Sequence, residues 1–170
     1  MARYAQTIVV NDAYKSILRA KQGGSKARAK QKWTEAREYI SPVIGEISSR
    51  DKLLILAALY WGEGTKAELN IINGDSELLR VFVECMEELG VPRNDLSFSL
   101  RVFGDMSVQA AKDFWARRLG ITTSEIKSVE MVPGGKGGKL PNGMCRVRMR
   151  KGERHFKLIM SMIQLVSSRI

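Results

Sequence analysis

The chain has 170 residues, of which 44% are hydrophobic and 27% are charged, with 15 glycines and 4 prolines. This composition predicts one globular domain with a small appendage and excludes a collagen-like or mostly disordered chain. No apolar run reaches the roughly 18 residues that span a bilayer, and the first residues lack a signal-peptide core, so we expect a soluble, cytoplasmic protein.

The formal net charge of +10 is distributed unevenly along the chain. Residues 1–50 carry 10 basic and 4 acidic side chains, residues 51–130 carry 9 and 13, and residues 131–170 carry 9 and 1. Two basic ends around an acidic middle can form one positive surface, for which polyanions are the natural partners. Nucleic acid is the first candidate, and lysines that only keep the protein soluble are the alternative. An anionic membrane is disfavoured because no segment is both basic and strongly amphipathic.

The N-terminal region predicts two helical stretches over residues 13–40, broken at Gly23-Gly24-Ser25. The second stretch, residues 26–40, is basic and has only a sparse apolar stripe. Half of a helix-turn-helix, an arm that lies on DNA and a solvated helical hairpin all fit this pattern. Pro42 and Gly45 predict a linker, so we expect residues 1–45 to form a basic helical extension and residues 46–170 the main domain.

The main domain alternates predicted helices and strands. Ser48, with Asp51 three residues later, predicts the start of a helix that is apolar nearly all round until Gly62-Glu63-Gly64, so we expect this helix to be buried. Asp75 predicts the start of the next helix. Periodicity predicts strands at 69–73, 95–103, 126–132 and 144–150 and further helices at 107–119 and 153–170. This order predicts an α+β fold with an antiparallel sheet covered by helices on one face and open to a ligand on the other.

The last predicted strand alternates apolar residues with Arg146, Arg148 and Arg150. This spacing predicts three guanidinium groups on one face of the sheet, which few purely structural strands need. Residues 133–143, between the last two strands, predict a mobile hairpin loop that carries Lys136 and Lys139.

Three common kinds of site are disfavoured. The glycine-rich stretch 134–139 lacks the P-loop order and precedes a strand rather than a helix. The one histidine, His155, has basic neighbours, which disfavours a hydrolase triad. Cys85 and Cys145 have no C-x-x-C partner, which disfavours a structural zinc site.

Residues 56–64, LAALYWGEG, combine small side chains with one acid where the helix stops. The small residues allow a second helix to approach closely. Glu63, placed beside its own copy across a two-fold axis, could bind a divalent cation at a scissile phosphate. The structural alternative is that the Glu63 carboxylate caps or neutralises a tight helix end.

This nine-residue segment resembles the signature of the LAGLIDADG family of homing endonucleases, with Glu63 at the metal-binding acid and Gly64 at the closing glycine. Residues 68–90 are similar to the family's strand and second helix, and Lys151 falls where the family often keeps an active-site lysine. The resemblance covers roughly residues 50–170.

The resemblance implies a saddle, in which an antiparallel sheet lies in the DNA major groove and the motif helices pack at a dimer interface. One motif implies a homodimer on a roughly palindromic site in double-stranded DNA, in a nucleoid-associated protein. It implies cleavage that depends on Mg²⁺ or Mn²⁺, with Glu63 on the metal and Lys151 stabilising negative charge. The implied nucleic-acid contacts are Lys66, Asn70, Arg101, Lys136, Lys139, Arg146, Arg148 and Arg150.

The sequence departs from the family pattern in three places. The first strand pair, residues 64–73, is short, Gly74 replaces a common polar residue, and the helix 107–119 is an insertion. The compact motif of residues 59–64 also resembles microbial and phage proteins, some of which carry an N-terminal helix-turn-helix. A non-catalytic DNA-binding transcriptional regulator, with residues 1–40 as a second contact, is therefore the alternative function. RNA binding, as in intron maturases, is the third.

Overall fold

The computed structural model describes residues 12–134 and 139–170, and the chain divides into two compact units, Met1–Ile47 and Ser48–Ile170. In the first unit the described residues form one helix, α1 (Asp12–Ile44). Gly45 follows it with a φ of +58°, the left-handed conformation that ends many helices. None of the described helices combines the length and the hydrophobicity needed to cross a membrane.

One continuous helix replaces the two predicted helical stretches. α1 runs through Gly23-Gly24-Ser25 and includes Pro42 in its last turn. Each glycine in a helix interior costs about 1 kcal/mol relative to alanine, but the surrounding alanine, lysine, arginine and glutamine are strong helix formers. Glycine therefore weakens this helix without ending it, and the prediction of a break was wrong.

The described residues of the second unit form four α-helices, four strands and two short 3-10 turns. The helices are α2 (Ser49–Glu63), α3 (Ser76–Glu88), α4 (Val108–Leu119) and α5 (Glu153–Arg169). The strands are β1 (Asn70–Asn73), β2 (Leu96–Phe103), β3 (Ile126–Val132) and β4 (Met144–Met149). The 3-10 turns, Arg93–Asp95 and Thr123–Glu125, lead into β2 and β3. The unit is therefore α+β, as predicted.

The sheet is mixed, with the strand order β1-β4-β2-β3. β4 runs antiparallel to β1 and β2, whereas β2 and β3 are parallel. The prediction of a wholly antiparallel sheet was wrong at this pair because the chain crosses through α4 between β2 and β3, and a helical crossover returns the next strand in the same direction. The predicted hairpin between β3 and β4 was also wrong, since β2 lies between these two strands.

The predicted helix starts are confirmed by their capping hydrogen bonds. The Ser48 hydroxyl and the Asp51 carboxylate form a reciprocal capping box at α2. The Asp75 carboxylate accepts from two backbone N–H groups at the start of α3, and the Ser107 hydroxyl accepts from the Ala110 N–H at the start of α4. These bonds satisfy amides that have no partner within the helix.

The core lies between the four helices and one face of the sheet. β2 alternates as predicted, with Leu96, Phe98, Leu100 and Val102 buried. Tyr60 of α2, Phe82 of α3 and Trp115 of α4 are among the largest fully buried side chains. One face of the sheet is thus packed against helices of this unit, and its other side chains project from the opposite face.

α2 differs from its prediction in one respect. The sequence predicts a helix buried nearly all round, but Leu54, Ala58 and Trp61 are exposed. Their spacing of four and three residues places them on one side of the helix. The second unit therefore leaves an apolar stripe of α2 uncovered.

Candidate nucleic-acid interface

The candidate interface begins with the sheet face opposite the helices of the second unit, called the open face below. The register places Arg146 between Ile72 and Ser99, and Arg148 between Asn70 and Ser97. Directly paired residues project from the same face of a sheet. The open face is therefore formed by Asn70, Ile72, Ser97, Ser99, Arg101, Ser128, Glu130, Arg146 and Arg148.

Two arginines of the open face are paired with carboxylates that are not among the predicted site residues. Arg101 donates from Nε and Nη2 to the Glu130 carboxylate of β3, at 3.0 and 3.2 Å. Arg148 Nη2 lies 2.7 Å from Oε2 of Glu68. Knowledge of the parallel β2 and β3 pairing would have placed Glu130 beside Arg101. The open face is therefore less positive than its arginine content alone indicates.

Within the described part of the chain, two buried polar atoms of the open face have no hydrogen-bond partner: Oδ1 of Asn70 and Nε of Arg146. Asn70 is only 7% exposed, and its Nδ2 donates to Glu68 at 3.3 Å. A buried polar atom without a partner costs about 1–3 kcal/mol. Both atoms have almost no accessible surface, so a ligand could pair with them only after these side chains move.

Glu63 is the last residue of α2 and is exposed. Its Oε2 accepts from Nδ2 of Asn73 at 3.0 Å, and the Asn73 Oδ1 in turn accepts from the Asp75 N–H at 2.9 Å. Asn73 thus fixes the Glu63 carboxylate against the edge strand β1. A carboxylate at a helix C-terminus is repelled by the helix dipole, so stabilising the helix end does not explain Glu63.

Lys66 stabilises that helix end instead. Its Nζ donates to the carbonyl oxygens of Tyr60, Trp61 and Gly64, at 3.2, 2.7 and 2.9 Å. A lysine ammonium has three N–H donors, and a cation suits the negative end of a helix dipole. The structure thus uses all three donors of Lys66 inside the chain, and its predicted nucleic-acid contact stays a prediction.

Gly64 is required where α2 meets β1. A Cβ at this position would lie 2.4 Å from Cδ2 and 2.6 Å from the carbonyl oxygen of Tyr60. Tyr60 is completely buried, and its hydroxyl contacts the carbonyl oxygens of Thr65 and Glu68. Burial raises the pKa of Tyr60. The end of the motif is therefore a closely packed turn that places Glu63 on its surface.

Lys151 lies at the other end of β1 from Glu63. It is exposed, with a φ of +53°, in the turn between β4 and α5. Glu63 contacts Asn73 at one end of β1, whereas Lys151 follows the part of β4 that pairs with Asn70 at the other. At about 3.3 Å per residue, these two ends of β1 are roughly 10 Å apart. The described structure does not bring Glu63 and Lys151 together.

The remaining predicted contacts lie beyond the ends of the strands. Arg150 is exposed in the turn after β4, so the predicted strand is one residue too long and its third arginine is outside it. Lys139 is exposed in the segment between β3 and β4. Lys136 lies outside the described residues, as does the middle of the loop that was predicted to be mobile.

The described residues of one chain do not by themselves form a cluster of metal-ligating side chains. Over residues 12–134 and 139–170, no group of three or more histidine, cysteine, aspartate or glutamate side chains is placed to hold a metal ion. Cys85 and Cys145 are both free and buried, and burial raises the pKa of the Cys145 thiol to about 12. Neither cysteine therefore offers an accessible thiolate near neutral pH.

Comparisons of the chain with models of protein families, with curated proteins and with solved structures find no match.

Proposed function

We propose that this chain binds double-stranded DNA and cleaves it as a homodimer that uses Mg²⁺ or Mn²⁺, in the manner of a LAGLIDADG-type endonuclease with a saddle-shaped sheet. The observation that carries this proposal is the hydrogen bond from Asn73 to the exposed Glu63 carboxylate. It fixes the one acid of the motif at the edge of the sheet whose open face carries the arginines.

The open face is the proposed recognition surface. Arginine and asparagine are the side chains that form paired hydrogen bonds with guanine and adenine edges in the major groove. The unpartnered atoms of Asn70 and Arg146 are buried, so they would gain partners from bases or phosphates only if their side chains reorient on binding. Arg101 and Arg148 would exchange their carboxylate partners for DNA. Binding would then favour DNA sequences whose contacts with these arginines offset the loss of the two ion pairs.

The exposed stripe of α2 supports the proposed homodimer. Leu54 and Trp61 are 37% and 49% exposed, and the small residues Ala58 and Gly62 leave room for a second helix. A groove of about 440 Å³ continues from Leu54 to Leu165 of α5; its lining is mainly apolar but includes Arg50 and Arg169. A partner on this surface would cover the stripe, and the proposal requires it to place the C-terminal ends of the two α2 helices, with their Glu63 carboxylates, next to each other.

The Glu63 carboxylate fits a magnesium site that is completed by a second copy and by DNA. Mg²⁺ is usually bound by one or two carboxylates, several waters and phosphate oxygens. Glu63 is exposed, and among the described residues only its Oε2 is hydrogen-bonded. When bound, the metal lowers the pKa of a coordinated water and stabilises the charge of the leaving oxygen. Asn73 orients the carboxylate. Lys151 is the proposed cation for charge that develops on the phosphate, and because it lies at the other end of β1 from Glu63, this role requires Lys151 to reach the phosphate across roughly 10 Å.

A nicking assay on a randomised duplex library with Mg²⁺ or Mn²⁺ tests this proposal. We expect Glu63→Gln to bind DNA and to lose cleavage. The matched control is Glu46→Gln, which removes an exposed carboxylate just after α1 and should leave cleavage unchanged. Full cleavage by Glu63→Gln would remove the proposed mechanism.

The second candidate function is a non-catalytic DNA-binding regulator, and the observation that favours it is the long basic helix α1. If neither the wild-type chain nor Glu63→Gln cuts DNA while both select the same sequences, the regulator replaces the nuclease. Deletion of residues 1–40 then causes a severe loss of binding, whereas a nuclease that recognises DNA through the sheet keeps its site preference.

A further inference from the structure

The helix α1 concentrates positive charge without burying it. Its 33 residues include eight lysines and arginines and three aspartates and glutamates. None of its described side chains is buried. A helix of this kind gains little from packing, so its side chains remain available to a partner.

Four residues form one face of α1, called the α1 face below: Lys26, Lys30, Trp33 and Arg37. Their spacings of four, three and four residues place them within about 60° around the helix axis. Trp33 is 78% exposed. Glu35 and Glu38 lie on other sides of the helix, so the α1 face carries three positive charges and no carboxylate.

The α1 face differs from an ordinary solvated helix surface. Solvated helices gain support from opposite charges four residues apart, whereas Lys26 and Lys30 are like charges at that spacing. In the described part of the chain, neither these two lysines nor Arg37 forms an ion pair. Three unpaired cations around an exposed tryptophan are complementary to a polyanion that also offers apolar surface.

We propose that the α1 face binds the major groove of duplex DNA. A helix is about 10–12 Å wide and the B-form major groove about 12 Å, so the groove admits α1. The α1 face is three turns long, about 16 Å, which corresponds to roughly five base pairs. Lys26, Lys30 and Arg37 contact phosphates on the groove walls, and Trp33 contacts apolar edges such as thymine methyl groups.

The groove geometry selects DNA over double-stranded RNA. The major groove of A-form RNA is deep and too narrow for side chains to read. The α1 face is also a different surface from the open face of the sheet. This inference deepens the second candidate function, in which α1 contacts DNA, by naming the residues and the groove. It rests on DNA binding and not on cleavage.

Binding of the full-length chain to a labelled 20-base-pair duplex, measured by fluorescence anisotropy at several salt concentrations, tests the inference. The test variant is Lys26→Gln/Lys30→Gln. The matched control is Arg28→Gln/Lys32→Gln, which removes two charges from the same stretch of α1 on the opposite side. Circular dichroism checks that both variants keep the helix.

We expect the test variant to lower affinity by more than about tenfold at 0.1 M salt and to reduce the slope of log K against log salt by about 1.8 for two lost phosphate contacts. The control should keep the wild-type slope. Trp33→Ala should weaken binding without changing the slope, whereas Tyr39→Ala, which removes an equally exposed ring on the other side, should have no effect.

Equal losses in the test and control variants would overturn the inference, because they would show that only total charge matters. Equal effects of the test variant on duplex RNA of the same sequence would overturn the major-groove geometry. Both results are read from binding alone. They are therefore separate from the nicking assay on Glu63→Gln, which decides the nuclease proposal.

Discussion

The helices α1 and α3 differ in how many of their side chains are buried. α3 has 13 residues, and six of them are buried. α1 has 33 residues, and none of its described side chains is buried. α3 is held by packing of its apolar face against α2, α4 and the sheet, whereas α1 depends on the helix propensity of its alanines, lysines and arginines.

Because of this difference, we expect buried residues to determine the stability of the fold and the exposed residues of α1 to take part in binding. Apolar side chains of the second unit contribute through burial, so their replacement should destabilise the fold. The exposed side chains of α1 contribute little to stability, so their chemistry is available for binding. The two units should therefore respond differently to the same kind of substitution.

The largest expected difference in the free energy of unfolding is between alanine variants of two tryptophans. Trp115 is completely buried and its Nε1 donates to the Asn142 carbonyl at 2.7 Å, whereas Trp33 is 78% exposed. We expect Trp115→Ala to lower the free energy of unfolding by about 3–5 kcal/mol and Trp33→Ala to change it by less than about 0.5 kcal/mol. Urea unfolding followed by circular dichroism measures both. Similar losses would show that α1 is packed as tightly as the core.

The next prediction compares the effect on stability of replacing two glycines by alanine. A Cβ at Gly64 would overlap the Tyr60 side chain, whereas a Cβ at Gly24 would meet no atom within 4 Å. We expect Gly64→Ala to cost about 1–3 kcal/mol through overpacking and Gly24→Ala to stabilise α1 by about 0.5–1 kcal/mol. Thermal unfolding measures the first change and the helical circular dichroism signal the second. A destabilising Gly24→Ala would show that α1 needs its glycines for another contact.

Lys66→Gln tests the C-terminal cap of α2. The change removes a cation and three hydrogen bonds to helix carbonyls, so we expect a loss of about 1 kcal/mol. Lys30→Gln removes a lysine of the α1 face and should leave the free energy of unfolding unchanged. If Lys66→Gln weakens DNA binding without changing stability, its predicted nucleic-acid contact replaces the cap as its main role.

Local patterns predicted most elements of the second unit because the residues that fix them are close in sequence. Ser48 and Asp51 cap α2 as expected, and the alternation of β2 and β4 places their apolar residues in the core. The strand order was not predictable in this way. Nothing in the composition of β2 or β3 distinguishes parallel from antiparallel pairing, which depends on the path of the chain through α4.

The sequence predicted which types of residue form the candidate site. It did not predict which side chains those residues pair with. The spacing of Arg146 and Arg148 predicted a shared face, and the register bears this out. The ion pairs of Arg101 with Glu130 and of Arg148 with Glu68 depend on strand register, which a single strand's sequence does not contain. The glycines of α1 do not end the helix because a low local propensity reduces helix stability by degrees and does not set a boundary.

The smallest expected effect is a pH dependence that originates at Tyr60. Burial raises its pKa above the unfolded value near 10, so the folded state holds this proton more tightly. The contribution of Tyr60 to stability is therefore complete below pH 10 and decreases as pH rises from 10 through the folded pKa. Urea unfolding at pH 9, 10 and 11 should show a decrease that Tyr60→Phe reduces. Tyr39→Phe, which changes an exposed ring of α1, should leave the decrease intact, and an equal reduction by both variants would assign the pH dependence to other groups.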